Sequence, residues 1–265
     1  MTVTAGVVGW PIAHSLSPLL HTAWIEAAGI NATYEAMGLE DPEAFRRLVE
    51  RGQAGELKGV NVTAPYKELA LAVSDTVSET ARRAGSANLL VFREGHILAD
   101  STDGLGLIGA LEEQAPELSL SGRSVAVLGA GGAARAAAAA LLDNRADVVI
   151  FNRTRQKAEA LVRDVGGRLG ADDDFWSVAL VVNALSAPPD LDPSLLPDDA
   201  VVMDMTYRPL ETSFLRRARA RGLTGVDGLA MLIGQARPSF EALFGIASPA
   251  IDVRALALAH LGETG

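Results

Sequence analysis

Cysteine is absent from this 265-residue chain, which excludes disulfides, a cysteine nucleophile and a thiolate metal site. Histidine is scarce: His14, His21, His96 and His260 are the full set, and they lack the clustering with carboxylates that zinc ligation uses. No metal is expected. Long apolar runs are missing too. Hydrophobic residues make up 49% of the chain, yet no run reaches the roughly 18 residues of a membrane span. The N-terminus opens directly on an apolar strand, with no charged segment leading into an apolar stretch, so no signal peptide and a cytoplasmic location are expected. Positive charge is in deficit, with 23 Lys and Arg against 33 Asp and Glu, which argues against nucleic acid or an anionic membrane as partner. A chain of this length buries roughly 70–75% of its unfolded surface, enough for one large domain or two moderate ones.

What is present is concentrated in short motifs. Gly59-Val-Asn-Val-Thr63-Ala-Pro65-Tyr-Lys67 places hydrogen-bonding groups and one ammonium around a proline. Val60 and Val62 alternate with Asn61 and Thr63 as a strand end does, Pro65 suits a first helical turn, and Lys67 then falls on that turn. Strand-to-helix corners are where α/β proteins expose reactive side chains. Gly9-Trp-Pro11-Ile-Ala-His14-Ser15-Leu-Ser17-Pro18 follows a strand over 3–8 and precedes a helical pattern through Leu20, Trp24 and Ala28. Ser17 reads as an N-cap with Pro18 at the first helical position. Capping accounts for Ser17 but not Ser15, and two hydroxyls at a positive helix end suit a carboxylate. Gly85-Ser-Ala-Asn88 leads into a hairpin, Leu89–Phe92 and His96–Ala99 around Glu94-Gly95, which ends in Asp100-Ser101-Thr102-Asp103-Gly104. Taken singly, each stretch also fits an ordinary turn or helix cap.

After a linker helix over 102–113, the periodicity changes. Ser124–Leu128 is a continuous apolar strand running into Gly129-Ala130-Gly131-Gly132-Ala133-Ala134 and an alanine-rich helix to Leu142. Strand, glycine turn and helix in that order form a dinucleotide fingerprint: the glycines admit the pyrophosphate and the helix start supplies N–H donors. The next strand, Asp147–Phe151, ends in Asn152-Arg153-Thr154-Arg155-Gln-Lys157. A carboxylate at that strand end would bind ribose hydroxyls, whereas arginine accommodates a 2′-phosphate. Cations at a positive helix end are otherwise unfavourable, so NADP rather than NAD is expected. Apolar strands at 179–182 and 200–203 complete a parallel doubly wound pattern. Gly225-Val-Asp227-Gly228 opens a helix carrying Leu229, Met231, Leu232, Gln235 and Ala236, and 248–261 reads as a final amphipathic helix.

These motifs resemble the shikimate dehydrogenase family along the whole chain. Its G-x-P-I-x-H-S-x-S-P pattern stands at Gly9–Pro18, N-V-T-x-P-x-K at Asn61–Lys67, and G-L-x-M-L-x-x-Q-A at Gly228–Ala236. The resemblance implies an N-terminal α/β substrate domain, residues 1–102 completed by helices from about 228 to 265, and a Rossmann NADP-binding domain over 103–227, with a cleft between them. It implies NADP-dependent interconversion of 3-dehydroshikimate and shikimate. Hydride transfer to a ring carbonyl needs a proton donor within reach. Lys67 is the charged donor within the substrate motifs and Asp103 the carboxylate on the adjacent loop; the family pattern places this pair at the reacting hydroxyl. Ser15 and Ser17 would hold the carboxylate, and Thr63, Asn88 and Gln235 the hydroxyls. On the cofactor side the resemblance points to the turn over 129–133, Asn152, Arg153, Thr154, Lys157, Met205, Gly228 and Glu79, together with Tyr207, which also counts among the substrate residues. The protein is expected to be a monomer or homodimer. The chain departs from the family at Thr22, Leu89, Ser101, Leu185 and Leu243. Leu89 and Ser101 border the substrate loops, so a relative acting on quinate or another ring acid stays open. A ligand sensor is the non-enzymatic alternative, but a sensor has no need of Lys67 and Asp103 together.

Overall fold

The computed structural model describes residues 2–262. It divides into two compact units, one running to Thr102 and resuming at Gln235, the other spanning Asp103–Gly234. Residues 228–234, expected with the first unit, therefore group with the second, and the expected end at 265 lies outside the described residues.

The first unit opens with β1 (Val3–Gly9), α1 (Ser17–Ala28), β2 (Ala32–Gly38) and α2 (Pro42–Gln53). It continues with β3 (Gly59–Val62), α3 (Lys67–Ala72), β4 (Thr76–Val77), α4 (Glu79–Ala84), β5 (Leu89–Arg93) and β6 (His96–Asp100). The strands form one six-stranded sheet in the order β2-β1-β3-β5-β6-β4. β1 lies parallel to both β2 and β3, while β5 runs antiparallel to β3 and to β6. The two-residue Glu94-Gly95 connection closes the β5–β6 hairpin where turn chemistry places it. Phe45, Leu48, Val49 and Gly52 fall on one face of α2 and are buried, the spacing of an amphipathic helix. Phe45 and Leu48 join Val60, Val62, Tyr66, Leu90 and Phe92 in the core on one face of the sheet.

The second unit is built from α5 (Asp103–Gln114), β7 (Ser124–Leu128), α6 (Gly132–Asp143), β8 (Asp147–Phe151), α7 (Arg155–Val165) and β9 (Arg168–Leu169). Then come β10 (Leu180–Asn183), β11 (Val201–Asp204), α8 (Ser213–Ala220) and β12 (Thr224–Val226). Its sheet is parallel throughout, in the order β12-β11-β10-β7-β8-β9, the doubly wound dinucleotide-binding arrangement. Val125, Val127, Val148, Ile150 and Val182 pack on Leu107, Ala134, Ala138 and Leu141 on one face. Ala126, Leu128, Val181 and Val202 pack on Phe175, Phe214 and Leu215 on the other. Burial on both faces explains why these strands are continuous apolar runs rather than alternating ones.

α9 (Gly228–Phe244) begins in the second unit and ends in the first, and α10 (Val253–Leu261) closes the described chain. α10 starts five residues later than the amphipathic pattern suggests, since Asp252 accepts the Ala255 N–H at 2.9 Å as N-cap.

Candidate active site

In the first unit, strand direction gathers the sequence motifs at one edge. β1 and β3 are parallel and finish side by side, while β5 begins and β6 ends at that same edge. The Gly9–Pro18, Thr63–Lys67, Asn88 and Asp100–Thr102 segments therefore leave the sheet together. Gly9 makes the first two adjacent: a Cβ there would collide with the Thr63 methyl and lie 2.9 Å from the Ala64 oxygen. Trp10 N–H instead bonds that oxygen at 3.0 Å, and Thr63 N–H bonds the Val8 carbonyl at 2.9 Å.

Two helix starts differ from expectation. Ser17 is the first residue of α1 rather than its cap, and the N-cap position falls to Leu16, whose backbone is already helical. Leu16 is buried, and its burial draws the chain into the helix one residue early. Ser15 Oγ accepts the Ser17 N–H at 3.3 Å, while the Ser17 hydroxyl bonds Tyr34. Pro65 precedes α3 instead of opening it: Tyr66 N–H closes a turn onto Thr63 O at 3.0 Å, and Tyr66 O accepts from Ala70 at 2.8 Å. Lys67 is thus the first residue of α3, half-buried, with its carbonyl accepting the Ala87 N–H at 2.9 Å.

Asn88 is buried and bonded on every side. Its Nδ2 donates to Gln235 Oε1 at 2.8 Å and Thr102 Oγ1 at 3.0 Å, and its Oδ1 accepts the Thr102 N–H at 2.8 Å. The bond to Gln235 spans 147 residues of sequence, joining the start of β5 to α9. Ser239, one helical turn beyond Gln235, bonds Thr102 Oγ1 at 3.2 Å and accepts from Asn61 Nδ2 at 2.9 Å. Asn61 Oδ1 accepts the Tyr34 hydroxyl at 2.8 Å. Sequence reasoning left Tyr34, Asn61 and Ser239 without a role. Asn61 stood inside a recognised motif and could have been found; Tyr34 looks like an ordinary strand aromatic and Ser239 like part of an apolar helix stripe. Tyr34 stacks on His21 with ring centroids 4.0 Å apart. Burial raises the Tyr34 pKa, opposed in part by the Ser17 hydrogen bond, and burial also lowers the His21 pKa to about 3. Leu89 is buried in the sheet directly opposite Asn61. Glu79 is exposed and holds Arg82 at 2.7 Å.

The second unit places its motif at the point where strand order reverses, the usual ligand position in such sheets. The 129–133 turn links β7 to α6, with Gly131 as N-cap. Beside it, a cavity of about 940 Å³ is lined by Asn152, Arg153, Thr154 and Lys157, with Phe175 and Leu185 as apolar wall and Asp172 and Asp190 at its margin. Arg155 pairs with Glu159 at 2.9 Å, whereas Arg153 and Lys157 have no carboxylate partner among the described residues. No acid stands in the first turn of α7. Two uncompensated cations at a positive helix end fit an incoming phosphate.

Met205 and Tyr207 lie on a loop tied at both ends. Asp204, fully buried, accepts the Thr206 N–H at 3.0 Å and the Thr212 hydroxyl at 2.8 Å. Gly228 packs under this loop, since a Cβ there would stand 2.5 Å from the Met205 oxygen. Asp227 caps the helix behind it through the Ala230 N–H at 2.9 Å and accepts Gln114 Nε2 at 3.0 Å. Asp103 is buried at the first turn of α5, where an anion is favoured.

A doubly wound dinucleotide-binding unit with a phosphate-ready cation pair, in one chain with an α/β unit bearing a cluster of buried amides and hydroxyls, defines a nicotinamide-dependent dehydrogenase. Comparison with known proteins narrows the class. Residues 7–90 match the shikimate dehydrogenase substrate binding domain, and residues 110–182 match shikimate / quinate 5-dehydrogenase. The shikimate dehydrogenase (NADP(+)) of Caulobacter vibrioides is 48% identical, with 98% of this chain and 96% of that protein covered. That of Gluconobacter oxydans is 43% identical over 92% and 91%. The Thermus thermophilus shikimate 5-dehydrogenase in complex with NADP(H) and shikimate superimposes with a TM-score of 0.86 at 38% identity, covering 94% of this chain and 95% of that one. The chain belongs to the shikimate dehydrogenase family.

Proposed function

We propose that this chain catalyses the reversible NADP-dependent reduction of 3-dehydroshikimate to shikimate. The observation that carries the reading is the Asn88–Gln235 hydrogen bond of 2.8 Å: it joins two widely separated motifs at the sheet edge where Ser15, Ser17, Thr63 and Lys67 also emerge. Amides and hydroxyls suit a ring acid's hydroxyls, and the paired serines at the start of α1 suit its carboxylate. Arg153, Thr154, Lys157 and Asn152 would hold the 2′-phosphate, and the 129–133 turn the pyrophosphate, with Met205, Tyr207, Gly228 and Glu79 as further contacts. NADPH, when bound, supplies the hydride for the ring carbonyl. Lys67 gives a proton to the oxygen that becomes the hydroxyl, and in the reverse direction takes it back. Asp103 would bind the substrate hydroxyl, the role the family pattern gives this position. Ser15 and Ser17 bind the acid alike before and during reaction, so they set affinity rather than rate.

We infer a cytoplasmic monomer or homodimer acting on a free small molecule; the net charge of −10 disfavours nucleic acid or an anionic membrane as partner, and among the described residues no helix is long and apolar enough to cross a membrane. The test follows NADPH absorbance with purified protein and shikimate, quinate and close analogues in parallel. Shikimate should give the highest kcat/KM with NADP. A ten-fold advantage for quinate or another acid would overturn the substrate while leaving the dehydrogenase class standing.

A further inference from the structure

The buried polar residues of the first unit form one connected network, with Asn61 as its branch point. Asn61 Nδ2 faces the Asn88 carbonyl at 3.2 Å, a group that can only accept, so the amide oxygen of Asn61 must face Tyr34. Tyr34 therefore spends its single proton on Asn61 Oδ1 at 2.8 Å and accepts from Ser17, whose hydroxyl would turn its proton to the carboxylate when the ring acid binds. Besides the Asn88 carbonyl, Asn61 Nδ2 holds Ser239 Oγ at 2.9 Å, and Ser239 gives its one proton to the Gln235 carbonyl at 3.0 Å, which leaves Thr102 Oγ1 as the donor in its 3.2 Å bond to Ser239. Asn88 Nδ2 closes the network on Gln235 Oε1 at 2.8 Å. With Oε1 engaged, the Gln235 amide offers its donors to a ligand.

We propose that Tyr34, acting through Asn61 and Ser239, is a positioning residue for the ring acid: its hydroxyl holds the Asn61 amide oxygen, and the Asn61 amide nitrogen holds the main-chain carbonyl of Asn88 directly and that of Gln235 through Ser239. The inference rests on the function proposed above. Tyr34 stands at the remote end of the network on β2, held flat against His21. Each member is buried or half-buried, so a lost partner is not replaced by bulk water and the defect passes along the network. Without the Tyr34 hydroxyl, the amide oxygen of Asn61 loses its donor and the Asn61 side chain is released from the orientation that serves Ser239 and Asn88. Phenylalanine retains the ring and its stacking on His21, so Tyr34→Phe isolates the hydroxyl.

Steady-state kinetics on wild type and Tyr34→Phe, with shikimate and its monodeoxy analogues, provide the test. The variant should raise KM for shikimate about three- to ten-fold, the effect of one hydrogen bond, with kcat changed less than about two-fold and KM for NADP unaltered. The penalty should vanish for the analogue lacking the ring hydroxyl that Asn88 and Gln235 bind, a selectivity that a general loss of stability would not produce. An unchanged KM, or an equal penalty on all analogues, overturns the inference. Ser239→Ala breaks the same network two links on and carries the same expectations should Tyr34→Phe fail to fold. Wild-type protein inactive on shikimate would instead overturn the proposed function, so the two failures are distinguishable.

Discussion

At the residue scale, two side chains separate rate from recognition. The proposed mechanism engages Lys67 as the proton moves, so Lys67→Ala should lower kcat about 10²–10⁴-fold while KM for the ring acid changes little. Near-normal single-turnover rates would take the proton role from Lys67. Arg153 is the residue proposed to distinguish the cofactor. A charge-assisted hydrogen bond contributes about 1.5–3 kcal/mol, so Arg153→Asp should cost roughly ten- to a hundred-fold in kcat/KM for NADP and narrow or reverse the preference over NAD. Paired titrations of the two cofactors would check this, and an unaltered ratio would assign the discrimination elsewhere, Lys157 first. Both residues were conspicuous in sequence as candidates: one ammonium inside a polar motif, and cations where a helix dipole disfavours them. Tyr34 and Ser239 were not, because their hydrogen bonds join residues 27 and 178 positions from Asn61, and nothing local marks such partners.

At the scale of single elements, α1 separates capping from binding. The sequence pattern gave both jobs to Ser17, but Ser15 makes the cap contact, and at 3.3 Å it is a long one. Ser15→Ala should therefore cost no more than about 1 kcal/mol of stability, seen as a small shift in thermal midpoint. Ser17→Ala should leave the midpoint nearly unchanged and raise KM for the acid several-fold. A large loss of stability in Ser17→Ala with KM intact would show that Ser17 serves the fold through Tyr34 and not the substrate. The start of α9 shows the same dependence on side chains. Asp227 holds the Ala230 N–H and the Gln114 amide, so Asp227→Ala should destabilise by about 1–3 kcal/mol, measurable by denaturant unfolding. The cap could be anticipated from Asp227 standing three residues before Ala230; its bond to Gln114, 113 residues away, could not.

At the scale of the whole molecule, one buried group couples stability to acidity. His21 is almost fully buried among Tyr34, Trp24 and Phe240, and desolvation lowers its pKa from 6.5 to about 3. The unfolded chain thus binds a proton that the folded chain refuses between these values, and stability must fall as pH drops from about 6.5 toward 3. Each unit costs at most about 1.4 kcal/mol. His21→Phe keeps an aromatic ring without the titration, so its unfolding free energy should decline less steeply between pH 6.5 and 4 than that of wild type. Parallel slopes would show that His21 takes up its proton as readily in the folded protein as in the unfolded chain.

Local pattern by itself determined the elements and the fold class: apolar runs for strands buried on both faces, helical spacing on α2 and α9, and a strand, glycine turn and helix in the order a dinucleotide site requires. These are short-range properties of the chain, set by side-chain period and backbone preference. Tertiary structure alone decided which strand ends share an edge, because that depends on the β2-β1-β3-β5-β6-β4 order and on β5 running against β3. It also decided that Leu16 rather than Ser17 takes the cap position of α1, a result of burial overriding capping preference. Above all it placed Gln235 and Ser239 beside Asn88 and Asn61. Hydrogen bonds between distant residues are made only when packing has already brought the partners together, so no spacing along the chain announces them.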